Sequence, residues 1–92
     1  MTPIRHEMPQ YRVILCNDEV NSMEGVSKAL ATMLNMSVKD ACETAMRVHT
    51  EGEVVIAVTH LELAEHLHLR MGQNGLTMKL EAVEEERPEE EE

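Results

Sequence analysis

The 92-residue chain contains no phenylalanine and no tryptophan, and Tyr11 is its single tyrosine. A core must therefore be built from Leu, Val, Ile, Ala and the eight methionines. A domain of this size buries only about 60% of its unfolded surface, so there is room for one modest core and for no second domain. Methionine serves both as core filler and at surfaces that adapt to varied apolar partners, and the composition leaves both uses open.

Basic residues are also scarce. The chain has 8 Lys and Arg against 18 Asp and Glu, which gives a formal charge of −10. Nucleic-acid backbones and anionic membranes require basic patches, so we expect neither a nucleic acid nor a membrane as partner. An acidic chain of this kind suits cationic partners, including amines.

Cysteines and long apolar runs are few as well. Cys16 and Cys42 lie in apolar stretches and lack the spacing of a metal or redox pair, so we expect reduced, buried thiols. No apolar run approaches the roughly 18 residues of a membrane span, and we expect no signal peptide. These observations predict a soluble, cytoplasmic protein.

Hydrophobic periodicity predicts six elements in the order strand, helix, helix, strand, helix, strand. Such an order is typical of a small α+β sandwich, with one sheet and the helices on one side of it. The predicted strands are 11–16, 53–58 and 76–81, and the predicted helix caps are Asn21, Ser37 and Thr59. The apolar stripes place Val38, Cys42 and Leu63 among the buried residues.

Both ends of the chain differ in composition from the middle. Residues 1–10 hold two prolines and mixed charges without a period, which predicts a flexible arm. Residues 84–92 are glutamates interrupted by Arg87 and Pro88, which predicts a disordered acidic tail. The single folded domain is then expected to span residues 11–83.

The most informative stretch is Asn17-Asp18-Glu19, directly after the first predicted strand. Short loops that follow a strand present polar groups and often carry function. Here amide and carboxylate oxygens are followed by the apolar Met23, which suits a ligand with a cationic end and an apolar end. His49 closes the apolar stripe of the second helix, where a histidine more often has a structural role at the last carbonyls.

Four segments together resemble the ClpS family: YRVILCNDE at 11–19, Met23-Glu24, VHTEG at 48–52 and the helix start at 59–65. ClpS proteins are adaptors that hand N-degron substrates to the AAA+ unfoldase of the Clp protease. The resemblance implies a three-stranded antiparallel sheet packed on three helices, an architecture shared with the C-terminal domain of the ribosomal stalk protein. It also implies a monomer without cofactor, and an unfoldase partner of the ClpA or ClpC type.

The resemblance further implies a site for a free α-amino group and a bulky apolar first residue, typically Leu, Phe, Tyr or Trp. The residues implied at the amine and first peptide bond are Asn17, Asp18, Glu19 and His49. An ammonium has three donors, which oxygens and a neutral imidazole nitrogen can accept. The residues implied in the side-chain pocket are Leu15, Asn21, Met23, Val26, Ala45, Val48 and Leu76.

Some residues match the ClpS pattern and others depart from it, at positions that bear on the specificity of the pocket and on delivery to the unfoldase. Ala45 stands where the family commonly has a larger residue, which predicts a deeper or less selective pocket. Met23 is retained at the position that excludes β-branched Val and Ile by crowding. Glu62 and Glu65 match acidic positions in the unfoldase-facing region, whereas Leu67 falls near a position where lysine is frequent.

Enzymatic and metal-binding alternatives fit the sequence poorly. Cys42 and His49 are seven residues apart on one helix, about 10 Å along its axis, too far for a nucleophile and its base. His60, His66 and His68 lack the i, i+4 spacing that places two ligands on one helix face. We therefore expect neither an enzyme nor a metal site. The remaining alternative is a ClpS-like protein–protein module that modulates the unfoldase without recognising an N-terminal residue.

Overall fold

The computed structural model describes residues 9–83, and these residues form the six elements in the predicted order. The elements are β1 (Gln10–Cys16), α1 (Met23–Met33), α2 (Val38–Glu51), β2 (Glu53–His60), α3 (Leu61–Gln73) and β3 (Thr77–Ala82). The predicted flexible arm and acidic tail fall largely on residues 1–8 and 84–92, which lie outside the described residues. The α+β prediction is confirmed.

The sheet has three antiparallel strands in the order β2-β1-β3, so β1 is the central strand. Val13, Ile14 and Leu15 are at most 3% exposed. Successive side chains of a strand point to opposite faces, and burial of all three therefore means that both faces of β1 are covered. This agrees with the nearly continuous apolar run of the strand.

The pairing of β1 with β2 contains a β-bulge. Val13 pairs with Ala57 whereas Ile14 pairs with Val55, so Ile56 is an extra residue on β2. β2 is also an edge strand of the sheet. Val55 and Val58, on either side of the bulge, remain 45% and 52% exposed. An extra residue of this kind bends its strand and increases the local twist.

One hydrophobic cluster joins the helices to the sheet. α1 packs on α2, whereas α3 packs on all three strands. The buried members of the cluster are Leu15, Val26, Leu30, Ala41, Ala45, Val48, Val54, Met71 and Leu76. Partly buried methionines, Met33, Met36 and Met78, pack against it, so methionine does serve as core filler in this chain.

Two of the three predicted helix caps are wrong. The N-cap of α1 is Ser22, whose hydroxyl accepts from the Gly25 N–H at 3.0 Å, and not Asn21. The N-cap of α3 is His60, which makes no side-chain cap bond, because β2 extends through Thr59 to His60. Ser37 caps α2 as predicted, accepting from the Asp40 N–H at 3.0 Å.

Three residues predicted as buried are exposed, and Cys42 among them contradicts the expectation of buried thiols. Val38 is 75% exposed and Leu63 is 43% exposed. The buried stripe of α2 consists of Ala41, Ala45 and Val48 at i, i+4 and i+7. Cys42 lies beside this stripe and is exposed, whereas Val38 shares the stripe but is the first residue of α2.

Candidate functional site

The loop after β1 lies between the end of α2 and the start of β3. The Asn17 N–H donates to the Gly52 carbonyl at 2.8 Å, which joins the end of β1 to the residue that caps α2. Gly52 has a φ of 94°, a left-handed conformation that favours glycine. Asn17 is thereby held beside the helix end that carries His49, with its own side chain exposed.

Asp18 organises this loop through four hydrogen bonds. Its Oδ1 accepts from the backbone N–H groups of Val20 (2.9 Å) and Asn21 (2.8 Å). Its Oδ2 accepts from the Asn21 amide at 2.9 Å and from the Thr77 hydroxyl at 2.7 Å. A carboxylate has about four lone-pair sites, so these donors fill the acceptor capacity of Asp18.

The same hydrogen bonds hold Asp18 in its charged form. The backbone N–H of Asn21, the Thr77 hydroxyl, the Asn21 amide and the Val20 N–H lower the pKa of the carboxyl well below its ordinary value of 3.8. Hydrogen bonds to the charged form of an acid favour that form. The loop therefore carries a fixed negative charge at every physiological pH.

Asn21 ties the loop to the turn that precedes β3. Its amide nitrogen donates to the Gly75 carbonyl at 2.7 Å as well as to Asp18. Gly75 has a φ of 85° in the turn between α3 and β3. The loop thus has two side-chain links to residues 75–77, one from Asn21 and one through Thr77.

The other two residues predicted at the amine are accessible. His49 lies in the last turn of α2, and Glu19 lies in the loop, both exposed. The structure therefore places Asn17, Asp18 and Glu19 on one loop, which the bond to Gly52 attaches to the helix end of His49.

An apolar groove of about 290 Å³ runs between α1 and α2, directly after this loop. It is lined by Met23, Glu24, Ser27, Cys42, Ala45 and Met46. Met23 is the first residue of α1, and Ala45 precedes His49 by one helical turn. The apolar groove and the polar loop therefore adjoin each other.

The predicted pocket residues are divided between the groove, the core and the loop. Met23 and Ala45 line the groove. Leu15, Val26, Val48 and Leu76 belong with Ala45 to the buried cluster and are at most 8% exposed. Asn21 is partly exposed and belongs to the loop. The structure therefore brings two of the seven predicted pocket residues, Met23 and Ala45, to the groove.

Sequence reasoning missed Cys42 and Met46 as groove residues. Both are exposed on α2, and with Ala45 and His49 they follow the spacing i, i+3, i+4 and i+7. That spacing was the available signal, because it places four residues on one helix face that ends at His49. Thr77 and Gly75 were also missed, and nothing local in the sequence indicates their contacts with the loop.

Comparison with known proteins identifies the family to which this chain belongs. The family model described as ATP-dependent Clp protease adaptor protein ClpS matches residues 6–79. The chain belongs to the ClpS family. The ClpS adapter protein of Thermosynechococcus vestitus is 36% identical over 75 residues, which cover 80% of each chain. That of Prochlorococcus marinus is 32% identical over 82 residues, covering 88% of this chain and 78% of the relative.

A solved structure confirms the ClpS fold. Agrobacterium tumefaciens ClpS2, bound to L-phenylalaninamide, superposes with a TM-score of 0.73 at 24% sequence identity. The match covers 84% of this chain and 100% of the ClpS2 chain. The relatives are named as adaptors of the Clp protease.

A second groove of this ClpS-family chain lies away from the loop. It has a volume of about 350 Å³ and is lined by Pro9, Tyr11, Leu61, Glu62 and Glu65. Glu62 and Glu65, predicted to face the unfoldase, are exposed on α3. The structure therefore brings the two carboxylates together at the start of α3, on a surface that also contains exposed Leu61.

The groups that other chemistries would need are poorly placed. Burial and the nearby Glu53 raise the pKa of the Cys16 thiol, which disfavours a nucleophilic thiolate. Within residues 9–83, no three His, Cys, Asp or Glu side chains are grouped so that they could hold a metal ion. Within the same range, none of the helices has the length and apolar character needed to cross a membrane.

The Asp18 network makes the stability of this ClpS domain depend on pH. A carboxyl group whose pKa is lowered on folding stabilises the protein above its unfolded pKa, and the contribution is lost as pH falls through the folded value. We expect Asp18→Asn to be less stable than the natural protein at pH 7, and the gap to shrink steadily below the ordinary value of 3.8. Urea unfolding at pH 7, 4 and 2.5 measures both proteins.

Glu19→Gln provides the control for this prediction, because it removes the same charge from the same exposed loop. A gap between the natural protein and Asp18→Asn that stays constant from pH 7 to pH 2.5 would contradict the role of the network.

Proposed function

We propose that this ClpS-family chain is an adaptor that binds proteins through a free α-amino group and a bulky apolar first residue. It then delivers them to a Clp AAA+ unfoldase of the ClpA or ClpC type. The observation that carries this proposal is the juxtaposition at the end of α2, where the polar loop of Asn17 adjoins the apolar groove of Met23 and Ala45.

In this proposal the loop binds the ammonium and the first peptide bond. The exposed Asn17 and His49 side chains supply an oxygen and a neutral imidazole nitrogen as direct acceptors. Asp18 and Glu19 add negative charge beside them. A hydrogen bond to a charged group contributes on the order of 1.5–3 kcal/mol, so two acceptors would provide most of the selectivity for a free amine.

The groove between α1 and α2 receives the first side chain. Transfer of a Leu or Phe side chain out of water contributes roughly 1.5–3 kcal/mol, against which the entropy of association is set. The thioethers of Met23 and Met46 line the groove, and sulfur makes favourable contacts with aromatic rings. Leu, Phe, Tyr and Trp are therefore the proposed first residues.

The relative from Agrobacterium tumefaciens supports this proposal by its ligand. L-phenylalaninamide, which is bound to that ClpS2, has a free α-amino group, a benzyl side chain and an amide in place of the first peptide bond. These are the three features that the loop and the groove are proposed to recognise here.

Delivery is proposed to involve a different surface. Glu62 and Glu65 on α3 are exposed beside the second groove, so an unfoldase could contact them while a substrate occupies the first groove. Membership in a family of Clp protease adaptors supports such a partner.

Fluorescence anisotropy with labelled peptides that differ only at the first residue tests the proposal. The series consists of Leu, Phe, Val and Ala, with an acetylated Leu peptide as control. We expect Leu and Phe to bind at micromolar concentration or below and acetylation to abolish binding. Val binding as tightly as Leu would indicate a pocket enlarged at Ala45.

Binding that ignores both the first residue and its free amine would overturn the proposal. The function would then be that of a protein–protein module that modulates the unfoldase without N-terminal recognition.

A further inference from the structure

The Asp18 carboxylate is already saturated by donors from the protein itself. Two backbone N–H groups occupy Oδ1, whereas the Asn21 amide and the Thr77 hydroxyl occupy Oδ2. A bound ammonium that donated a hydrogen bond directly to Asp18 would have to displace one of these donors. Displacing one would loosen the loop that also carries Asn17 and Glu19.

Of the four donors, Thr77 is the only one that comes from outside the loop. It is the first residue of β3 and the cross-strand partner of Cys16, the last residue of β1. Asp18 follows Cys16 by two residues. Because Thr77 lies opposite Cys16, its side chain is close to the loop that begins where β1 ends. The resulting bond of 2.7 Å joins residues 59 positions apart in the chain.

The two ends of the polar loop are therefore fixed by different elements. On one side the Asn17 N–H is bonded to Gly52 at the end of α2. On the other side Asp18 is bonded to Thr77 on β3, and Asn21 to the Gly75 carbonyl just before it. Asn17 is itself the first attachment and directly precedes Asp18, the second, so both attachments bear on where its side chain lies.

We propose that Thr77 is a positioning residue of the amine site, and that Asp18 acts by holding the loop rather than as a direct ligand of the ammonium. This inference rests on the proposed function. Asn17 and His49 are then the direct acceptors, and the Asp18 charge attracts the ammonium from behind the loop. An acceptor that is already held in place costs less conformational entropy when the ligand binds.

Thr77→Val tests the inference because it removes the hydroxyl and keeps the shape of the side chain. We expect the affinity for a Leu-first peptide with a free amine to fall about five- to tenfold, less than for the loss of a direct acceptor, because the hydroxyl holds the loop and does not touch the ammonium. Thr77→Ser retains the donor and is expected to bind within about twofold of the natural protein. Thr59→Val, the same change on β2, is the matched control and is expected to leave binding unchanged.

A second readout separates positioning from a general effect on folding. Thr77→Val is expected to lower the affinities for Leu-first and Ala-first free-amine peptides by the same factor, so their ratio, which reports the groove, stays constant. The acetylated Leu peptide is expected to bind neither the natural protein nor Thr77→Val. Thermal denaturation accompanies each variant, and Thr77→Ala carries the same expectation if Thr77→Val does not fold.

Three results would overturn the inference: unchanged binding in Thr77→Val, failure of Thr77→Ser to restore it, or a loss confined to the ratio of Leu-first to Ala-first affinity. If the natural protein itself ignores the free amine, the proposed function fails, and this inference fails with it. If the natural protein requires the free amine and Thr77→Val binds with unchanged affinity, only this inference is overturned and the proposed function stands.

Discussion

Replacing His49 with alanine is expected to weaken binding of a Leu-first peptide about 10- to 100-fold, because the ammonium loses a direct acceptor. The side chain is exposed in the last turn of α2, so its removal leaves the core intact. Fluorescence anisotropy with free-amine and acetylated Leu peptides measures the loss of affinity and shows whether it depends on the free amine.

His68→Ala is the matched control, since His68 is also exposed on a helix but lies on α3. We expect this control to bind like the natural protein. An equal loss in both variants, or no loss in His49→Ala, would remove His49 from the amine site.

Replacing Ala45 with methionine is expected to fill the groove and to lower the affinity for a Phe-first peptide about tenfold or more. Ala45 forms part of the groove wall and is only 2% exposed, so a longer side chain has little room except toward the groove. Binding of an Ala-first peptide is expected to change much less. The ratio of the two affinities is therefore the quantity to measure.

Ala82→Met adds the same side chain at an exposed position of β3 and controls for an extra surface methionine. Overpacking a core site can itself destabilise a protein by about 1–3 kcal/mol, so urea unfolding is measured in parallel. An unchanged ratio of Phe-first to Ala-first affinity in a folded Ala45→Met protein would show that the first side chain enters elsewhere.

The order of the elements could be predicted because it depends on local patterns. The alternation of β3 is a property of six consecutive residues, and Thr77, Lys79 and Glu81 are exposed as its period requires. The apolar run of β1 is likewise local, and the structure buries it as the central strand of the sheet. The proximity of loop and helix end came from the family resemblance, since periodicity does not relate Asn17 to His49.

Features that depend on distant parts of the chain could not be predicted in this way. Asn21 is a residue type favoured at helix N-caps. Its amide nitrogen instead donates to Gly75 and Asp18, and the contact with Gly75 joins positions 54 apart. Ser22, one residue later, could take over the cap without loss. Likewise Cys42 was wrongly predicted as buried, because its neighbour Ala41 faces the core and Cys42 lies beside the buried stripe.

The bulge at Ile56 has a consequence for how copies of this chain meet. The apolar edge strand β2 presents main-chain groups that could recruit the same strand of another copy, which is a common route to aggregation. Because Ile56 interrupts the strand, only residues 53–55 and 57–60 keep a regular ladder. A second copy that paired with β2 would meet the register shift after about four residues, so we expect the bulge to disfavour edge-to-edge pairing.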